Sequence, residues 1–383
     1  MKICFITGTR AEYGLMRWII QGFHDDPEIM VQIIVTGMHL SPEFGLTFKE
    51  IEKDGFTIDK KIEILLSSDT PIGISKSTGL GLISIAEGIS ELNPDLIVLL
   101  GDRFESLASA TAAMIARIPI AHIHGGESTE GLIDEPIRHA ISKMSHLHFT
   151  STEVYRKRVI QMGENPTRVY NSGAPGLDNI HKLKLKNKKE LFDKLSLKNN
   201  DKYFLITFHP VTLEKETAEI YIDELLNALG EFSDYKLIFT MPNADTDGRI
   251  IYQKIQKYFF EYPSKGGLYK SLGQLNYLSA LKYSSLVIGN SSSGLIEAPS
   301  FKVPTINIGN RQKRRIKAES VINCDTNKAS IVSAINVALS NDFLRKTKSV
   351  VNPYGNGGAS EKICDIIKSV DLEGIIFKEF YQL

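Results

Sequence analysis

The sequence predicts an α/β protein of two Rossmann-like, doubly wound domains, and three observations carry that expectation. β-branched apolar runs recur through both halves without polar alternation, the pattern of parallel strands covered on both faces. Amphipathic segments of helical period lie between them. At 383 residues the chain is long for a single core, and a polar, Lys-rich stretch across 173–201 is placed to join two.

The elements follow in order. Strands are expected at 3–7, 31–35, 96–100, 118–123 and 146–150, with helices at 83–92 and 106–116 among them. A second set of strands, at 204–208, 237–240, 286–289 and 304–308, follows the Lys-rich connection. The expected organisation is an N-terminal domain over 1–172, a C-terminal domain over 173–358, and a helix and tail over 359–383 that cross back to the first domain. Two such domains take a ligand in the cleft between the carboxyl ends of their strands. There is no repeat of solenoid period and no low-complexity tract.

Composition narrows the function classes. Lys+Arg and Asp+Glu are both 45, so the net charge is zero and nothing steers the chain toward nucleic acid or an anionic membrane. Of two local basic runs, 182–189 reads as a solvated linker face, whereas 311–317 follows an apolar strand and can send an arginine into a ligand site. Cys4, Cys324 and Cys364 are odd in number and far apart, which argues against a disulfide framework or structural zinc and for a reducing compartment. Residues 1–7 are too short for a signal peptide and no apolar run approaches a membrane span, so the expected location is the cytoplasm.

The most informative stretch is Gly289-Asn290-Ser291-Ser292-Ser293-Gly294-Leu295-Ile296-Glu297, after an apolar strand and at an expected helix start. Small residues let a phosphate approach the backbone, N–H groups at a helix opening point at it, and Glu297 can accept both hydroxyls of a ribose. Taken alone, the same string is a Ser-rich capped turn. Arg10 opens the helix after the first strand, where a cation adds to the anion-friendly end. Asp102 and Arg103 follow the strand at 96–100; Asp102 either faces the cleft or caps the next helix.

The strand at 118–123 runs into His122-Ile123-His124-Gly125-Gly126-Glu127. The spacing puts both imidazoles on one strand face, and the glycines let Glu127 return over the site. Downstream lie Asp134, Glu135, Pro136, Arg138 and His139; Pro136 at a first helical position makes Asp134 or Glu135 a cap candidate. Clustered like charges raise a carboxyl pKa and supply an acid and a base. His-X-His with nearby carboxylates also fits zinc, but the order of motifs is wrong for a metallophosphoesterase, and no metal or other cofactor is expected. In the second half His209 is a candidate phosphate donor or proton-transfer group, and Asn243 can read a base or a ribose.

Together these motifs resemble the UDP-N-acetylglucosamine 2-epimerases, and within them the hydrolysing branch that serves sialic-acid biosynthesis. The matching pieces are TGTRAEYG, VTGMHL, GDRFE, HIHGGE, DEPIRHAISKMSHLH, TSTEVYRKRVIQMGE, FHPVT, GNSSSGLIEAPS and INIGNRQKRR, in order over nearly the whole chain. The resemblance implies a glycosyltransferase-B-like fold and a nucleotide held by Arg10, Arg103, His209, Asn243, Ser291, Ser292, Glu297 and Arg311. It places Asp102, Glu127, Asp134 and Glu135 where the family's proton-transfer groups gather, with His209 in support and His122, His124 and Arg138 near the sugar. Non-hydrolysing relatives carry Glu where this chain has His124, a departure that favours the hydrolysing branch and leaves the role of His124 open. Gly14 stands where the animal enzyme carries Ser, so that side-chain contact is missing.

The implied reaction removes H2 of a UDP-N-acetylhexosamine as UDP leaves C1, adds water to the glycal, and returns a proton to C2 on the opposite face. Free N-acetylmannosamine and UDP result. The diacetylated bacillosamine nucleotide is the alternative substrate, a non-hydrolysing epimerase the alternative reaction, and a non-catalytic nucleotide-sugar binding module the alternative class. A homo-oligomer, dimer or tetramer, is expected.

Overall fold

The computed structural model describes residues 1–66, 70–129, 133–210, 217–241 and 248–383. Two sheets, both wholly parallel, organise it. The first contains β1 (Lys2–Thr7), β2 (Met30–Thr36), β3 (Lys60–Ile62), β4 (Leu96–Leu100), β5 (Ile120–Ile123), β6 (Leu147–Thr150) and β7 (Val169–Asn171), in the order β3-β2-β1-β4-β5-β6-β7. The second contains β8 (Lys202–Thr207), β9 (Tyr235–Thr240), β10 (Gly266–Tyr269), β11 (Leu286–Gly289), β12 (Thr305–Ile308) and β13 (Val321–Cys324), in the order β10-β9-β8-β11-β12-β13. The expected α/β class and paired doubly wound sheets are what the chain adopts.

Each sheet reverses its direction of growth once, between β1 and β4 in the first and between β8 and β11 in the second. Flanking loops diverge to opposite faces at such a point, which opens a crevice at the carboxyl ends of the strands. The four loops concerned carry Gly8–Arg10, Gly101–Arg103, Phe208–Pro210 and Asn290–Ser293. Arg10, Asp102, Arg103, His209 and the Ser291–Ser293 string therefore stand at the switch points, whereas the His122–Glu127 motif follows the neighbouring β5.

Apolar strand residues divide between the two faces of each sheet. In β1, Ile3 and Phe5 pack with Met16, Ile20 and Phe23 of helix Arg10–His24 and with Ile363 and Ile367 of helix Ala359–Ser369. Cys4 and Ile6 face the other way, toward Ile85 and Ile89 of helix Pro71–Leu92 and Ala112 of helix Phe104–Ile115. Burying such an Ile or Phe in full contributes about 1.5–3 kcal/mol. The second sheet repeats the scheme, with Phe204 and Ile206 against Ile222 and Ile335 on one face and Tyr203 and Leu205 against Phe192 and Leu281 on the other.

The chain forms two compact units: Met1–Glu127 with Ile133–Asn179 and Tyr354–Leu383, and Ser128–Leu132 with Ile180–Pro353. The sequence put the first boundary at 172. The first unit runs on to Asn179 because the indole N–H of Trp18 donates to Asn179 Oδ1 at 2.8 Å, and Asn179 Nδ2 donates to the Gly14 carbonyl at 3.0 Å. Asp178 accepts backbone N–H bonds from Ala359 at 3.2 Å and Ser360 at 2.7 Å, capping the C-terminal helix whose own preceding residue is Gly358. Among the described residues no helix is long and apolar enough to cross a membrane.

Candidate functional site

In the first unit, Thr9 caps helix Arg10–His24. Its hydroxyl accepts the Glu12 N–H at 3.2 Å, and Glu12 Oε2 accepts the N–H groups of Gly8 (2.8 Å) and Thr9 (3.1 Å), a capping box that shapes the loop after β1. Arg10, the first helical residue, has a side chain 39% exposed, with Nη1 3.9 Å from Glu50 Oε1. Arg103 precedes helix Phe104–Ile115 and donates to Glu105 through Nε (3.2 Å) and Nη2 (3.3 Å). Burial and the charge of Glu105 push the Glu12 carboxyl up to about 7, against the pull of Arg103.

Beside this loop lies a buried polar cluster. Arg138, 1% exposed on helix Asp134–Met144, forms an ion pair with Asp102 and donates from Nη1 to the Glu127 carbonyl at 2.9 Å. Glu127 is 2% exposed; its Oε1 lies 2.7 Å from His124 Nδ1 and accepts the Ser151 hydroxyl at 2.9 Å. The turn between them needs Gly126, at φ +77°, where a Cβ would stand 2.5 Å from the Tyr155 carbonyl oxygen.

His122 is fully buried, with Nε2 2.7 Å from the Gly101 carbonyl and Nδ1 3.1 Å from the Ser142 hydroxyl, and burial pushes its pKa down to about 3. The expectation that His122 and His124 share a strand face is corrected here. β5 ends at Ile123 and His124 leaves it at φ +67°, turning its ring to Glu127. A left-handed conformation on a non-glycine residue costs about 1–3 kcal/mol. His124 Nε2 is also buried without a hydrogen-bond partner among the described residues.

In the second unit, Gly289 closes β11 at φ +134°, and a Cβ there would stand 1.9 Å from the Thr207 carbonyl oxygen in β8. Only glycine lets the two strand ends approach. His209 N–H donates to Asn290 Oδ1 at 2.7 Å and Asn290 Nδ2 donates to the His209 carbonyl at 2.8 Å. Arg311 Nη1 and Gln312 Nε2 both reach the Asn290 carbonyl, each at 3.0 Å. Burial and the Arg311 charge hold the His209 imidazole well below 6.5, so it stays neutral at neutral pH and offers a donor without a charge. At the carboxyl ends of the same sheet's strands Phe208, Tyr221, Asn290, Gly309, Asn310 and Thr326 line a pocket.

The family model described as UDP-N-acetylglucosamine 2-epimerase matches residues 21–368. The chain belongs to the UDP-N-acetylglucosamine 2-epimerase family. It is 43% identical to GDP/UDP-N,N'-diacetylbacillosamine 2-epimerase (hydrolyzing) of Campylobacter jejuni, over 100% of this chain and 99% of that one. It is 42% identical to polysialic acid biosynthesis protein P7 of Escherichia coli, over 100% of this chain and 97% of that protein. Among solved structures, UDP-GlcNAc 2-epimerase from Neisseria meningitidis bound to UDP-GlcNAc superposes with a TM-score of 0.85 at 20% identity, covering 97% of this chain and all of that one. That likeness shows a common fold, of the glycosyltransferase-B type.

Within this epimerase-family chain the structure joins Asp102, Arg138, Glu127 and His124 in one cluster and, separately, His209 and Arg311 around Asn290. Asp134 and Glu135 are not caps. They are the first two residues of helix Asp134–Met144, the residue before them is Ile133, and Glu135 lies 3.8 Å from His139 one turn on. The helix expected after Ser291 is a single turn, Ser293–Ile296, ended by Glu297; Ser292 makes no capping bond, and Ser291 Oγ accepts the Ser293 N–H at 3.4 Å. Asn243 lies outside the described residues. Sequence reading missed Ser151, which holds Glu127, and the double clasp of Asn290. Ser151 does follow an apolar strand, the signal that selected Asp102.

Proposed function

We propose that the chain is a hydrolysing 2-epimerase that converts UDP-N-acetylglucosamine and water to N-acetylmannosamine and UDP. The observation that carries this reading is the largely buried cluster of Asp102, Glu127, His124 and Arg138 at the carboxyl ends of β4 and β5, in a chain of this family whose 43% identical relative is named as hydrolysing. Abstraction of a weakly acidic C2 proton needs a positioned base in a site closed to water, and inversion needs proton traffic at two faces. Asp102, Glu127, Asp134, Glu135 and His209 are the proton-transfer candidates. Arg10, Arg103, Arg311, Asn243, Ser291, Ser292 and Glu297 are the candidates for holding UDP, with Arg103 braced by Glu105.

The diacetylated bacillosamine nucleotide is the second reading of the substrate, favoured by the names of the Campylobacter jejuni relative and of a 36% identical one from Legionella pneumophila. A cytoplasmic homo-oligomer is proposed with either, in keeping with three free cysteines.

Proton NMR of the pure protein with UDP-N-acetylglucosamine in deuterated buffer tests this. Free N-acetylmannosamine deuterated at C2, with stoichiometric UDP, is the expected result. Turnover of the diacetylated nucleotide alone reassigns the substrate. Tight binding of both nucleotides without turnover of either makes the chain a binding module and sinks the proposal.

A further inference from the structure

We infer that His124 Nε2 is the atom that exchanges the C2 proton on one face of the sugar, and that Glu127 acts through it as a positioning residue. This rests on the hydrolysing-epimerase reading and deepens it. Four titratable side chains meet at the carboxyl end of β4 and β5, and of their polar atoms only His124 Nε2 is buried without a hydrogen-bond partner among the described residues. Asp102 is paired with Arg138. Glu127 Oε1 receives both His124 and Ser151. His122 spans from the Gly101 carbonyl to Ser142.

His124 is different. Its backbone is held at φ +67°, its side chain is only 10% exposed, and Nε2 has no hydrogen-bond partner among the described residues. Left-handed backbone at a non-glycine residue and a buried unpartnered nitrogen are both unfavourable, and strain of this kind persists where a ligand completes the site. The tautomer follows from the partners. The Glu127 oxygen that accepts the Ser151 hydroxyl also accepts the Nδ1 proton, so the neutral ring carries its lone pair on Nε2. A carboxylate behind Nδ1 fixes the ring and stabilises the imidazolium once Nε2 takes a proton, as in other carboxylate–histidine pairs.

The electron bookkeeping is simple. The C2–H bond breaks, the proton goes to Nε2, and the bonding pair becomes the C1=C2 bond. The C1–O bond breaks and its pair leaves with UDP. Water oxygen then bonds to C1 and releases one proton to solvent, while C2 gains a proton from an acid on the opposite face. His124 thus serves one face only and returns its proton to solvent between turnovers.

The test compares wild type, His124→Asn, Glu127→Gln and the double variant for kcat, KM and UDP affinity. Asn tolerates the left-handed conformation, so His124→Asn keeps the backbone. The expected result is a loss of 10²–10⁴-fold in kcat for His124→Asn, with UDP affinity within about threefold. Glu127→Gln should lose about 10–100-fold in kcat with KM little moved, and the double variant should be no worse than His124→Asn alone. If His124→Asn keeps more than a tenth of wild-type kcat, or if the double variant is the product of the two singles, the assignment is overturned. Should His124→Asn fail to fold, Glu127→Gln decides: a loss above 10³-fold makes Glu127 the base itself and overturns the inference, and a smaller kcat-only loss supports it. Wild type inactive on both nucleotides fails the functional reading instead, a result distinct from every variant outcome.

Discussion

Asn290 and His209 hold each other by two hydrogen bonds, 2.7 Å from the His209 N–H to Asn290 Oδ1 and 2.8 Å from Asn290 Nδ2 to the His209 carbonyl. They follow β11 and β8, the pair at which the second sheet reverses its growth. Because Arg311 and Gln312 also reach the Asn290 carbonyl, this one residue ties three strand-end loops together. Asn290→Asp keeps the acceptor for the His209 N–H but loses the donor, and sets a carboxylate against a carbonyl at a position 1% exposed. The expected cost is on the order of 1–3 kcal/mol in urea unfolding, with UDP affinity falling at least about tenfold by titration calorimetry. A folded variant with unchanged UDP affinity would separate the clasp from nucleotide binding.

Arg138 supports a second prediction. Its guanidinium is buried, and both Asp102 and the Glu127 carbonyl depend on it. Arg138→Met leaves the Asp102 charge without that partner and should cost on the order of 3 kcal/mol. Adding Asp102→Asn removes the stranded charge, so the double variant should melt at a higher temperature than Arg138→Met alone. Equal melting temperatures would mean that Asp102 is solvated well enough to need no partner.

Legibility in the sequence followed burial. The nine strands expected from apolar runs are the nine interior strands of the two sheets, and the four not foreseen, β3, β7, β10 and β13, are the four edges. Edge strands are covered on one side only, so sequences such as Lys60–Ile62 and Gly266–Tyr269 carry polar or glycine residues that erase the apolar signal. In the candidate site, the positions of Asp102 and His209 at strand ends were legible because each lies two residues past an apolar strand. The turn of His124 away from His122 was not, because period-two reasoning assumes that the strand continues, and only the local backbone says where it stops. The pairing of Asp102 with Arg138, 36 positions apart, is set by the packing of helix Asp134–Met144 on the sheet, which no local pattern encodes.

Glu164 ties the C-terminal tail to the rest of the first unit. Although 2% exposed, its carboxylate takes Lys143 at 2.6 Å, Lys378 at 2.8 Å and His148 at 3.0 Å, and Lys378 also donates to the carbonyls of Lys143 and Ser145 at 2.7 Å each. Burial alone would raise the Glu164 pKa, but these donors outweigh it and draw it down from 4.5 to about 2. A depressed carboxyl pKa contributes stability that is present above 4.5 and lost as pH falls toward 2. Wild type should therefore exceed Glu164→Gln in stability by on the order of 1–2 kcal/mol near pH 6, after allowing for screening at the lysine ends. The gap should close between about pH 4.5 and pH 2, as read by denaturant unfolding across that range. A gap independent of pH would assign the effect to packing.

Glu12 gives the opposite sign. Burial first, then repulsion from Glu105, lift its carboxyl from 4.5 to about 7, although Arg103 and the N–H groups of Gly8 and Thr9 favour the charged form. Between those two values the folded chain keeps a proton that the unfolded chain has released, so stability falls as pH rises from 4.5 to 7 and is level above. Glu12→Gln retains a side-chain oxygen for the Gly8 and Thr9 N–H groups and carries no charge. It should match wild type near pH 5 and exceed it near pH 8, by up to about 3 kcal/mol, in thermal melts at the two values. The comparison also bears on the site, because the same carboxyl shapes the loop that presents Arg10. If wild type loses nothing between pH 5 and pH 8, the carboxylate is ionised throughout, and Arg103 with the two backbone donors outweighs Glu105. The loop after β1 would then be held by charge, and Glu12→Gln should weaken it at both pH values.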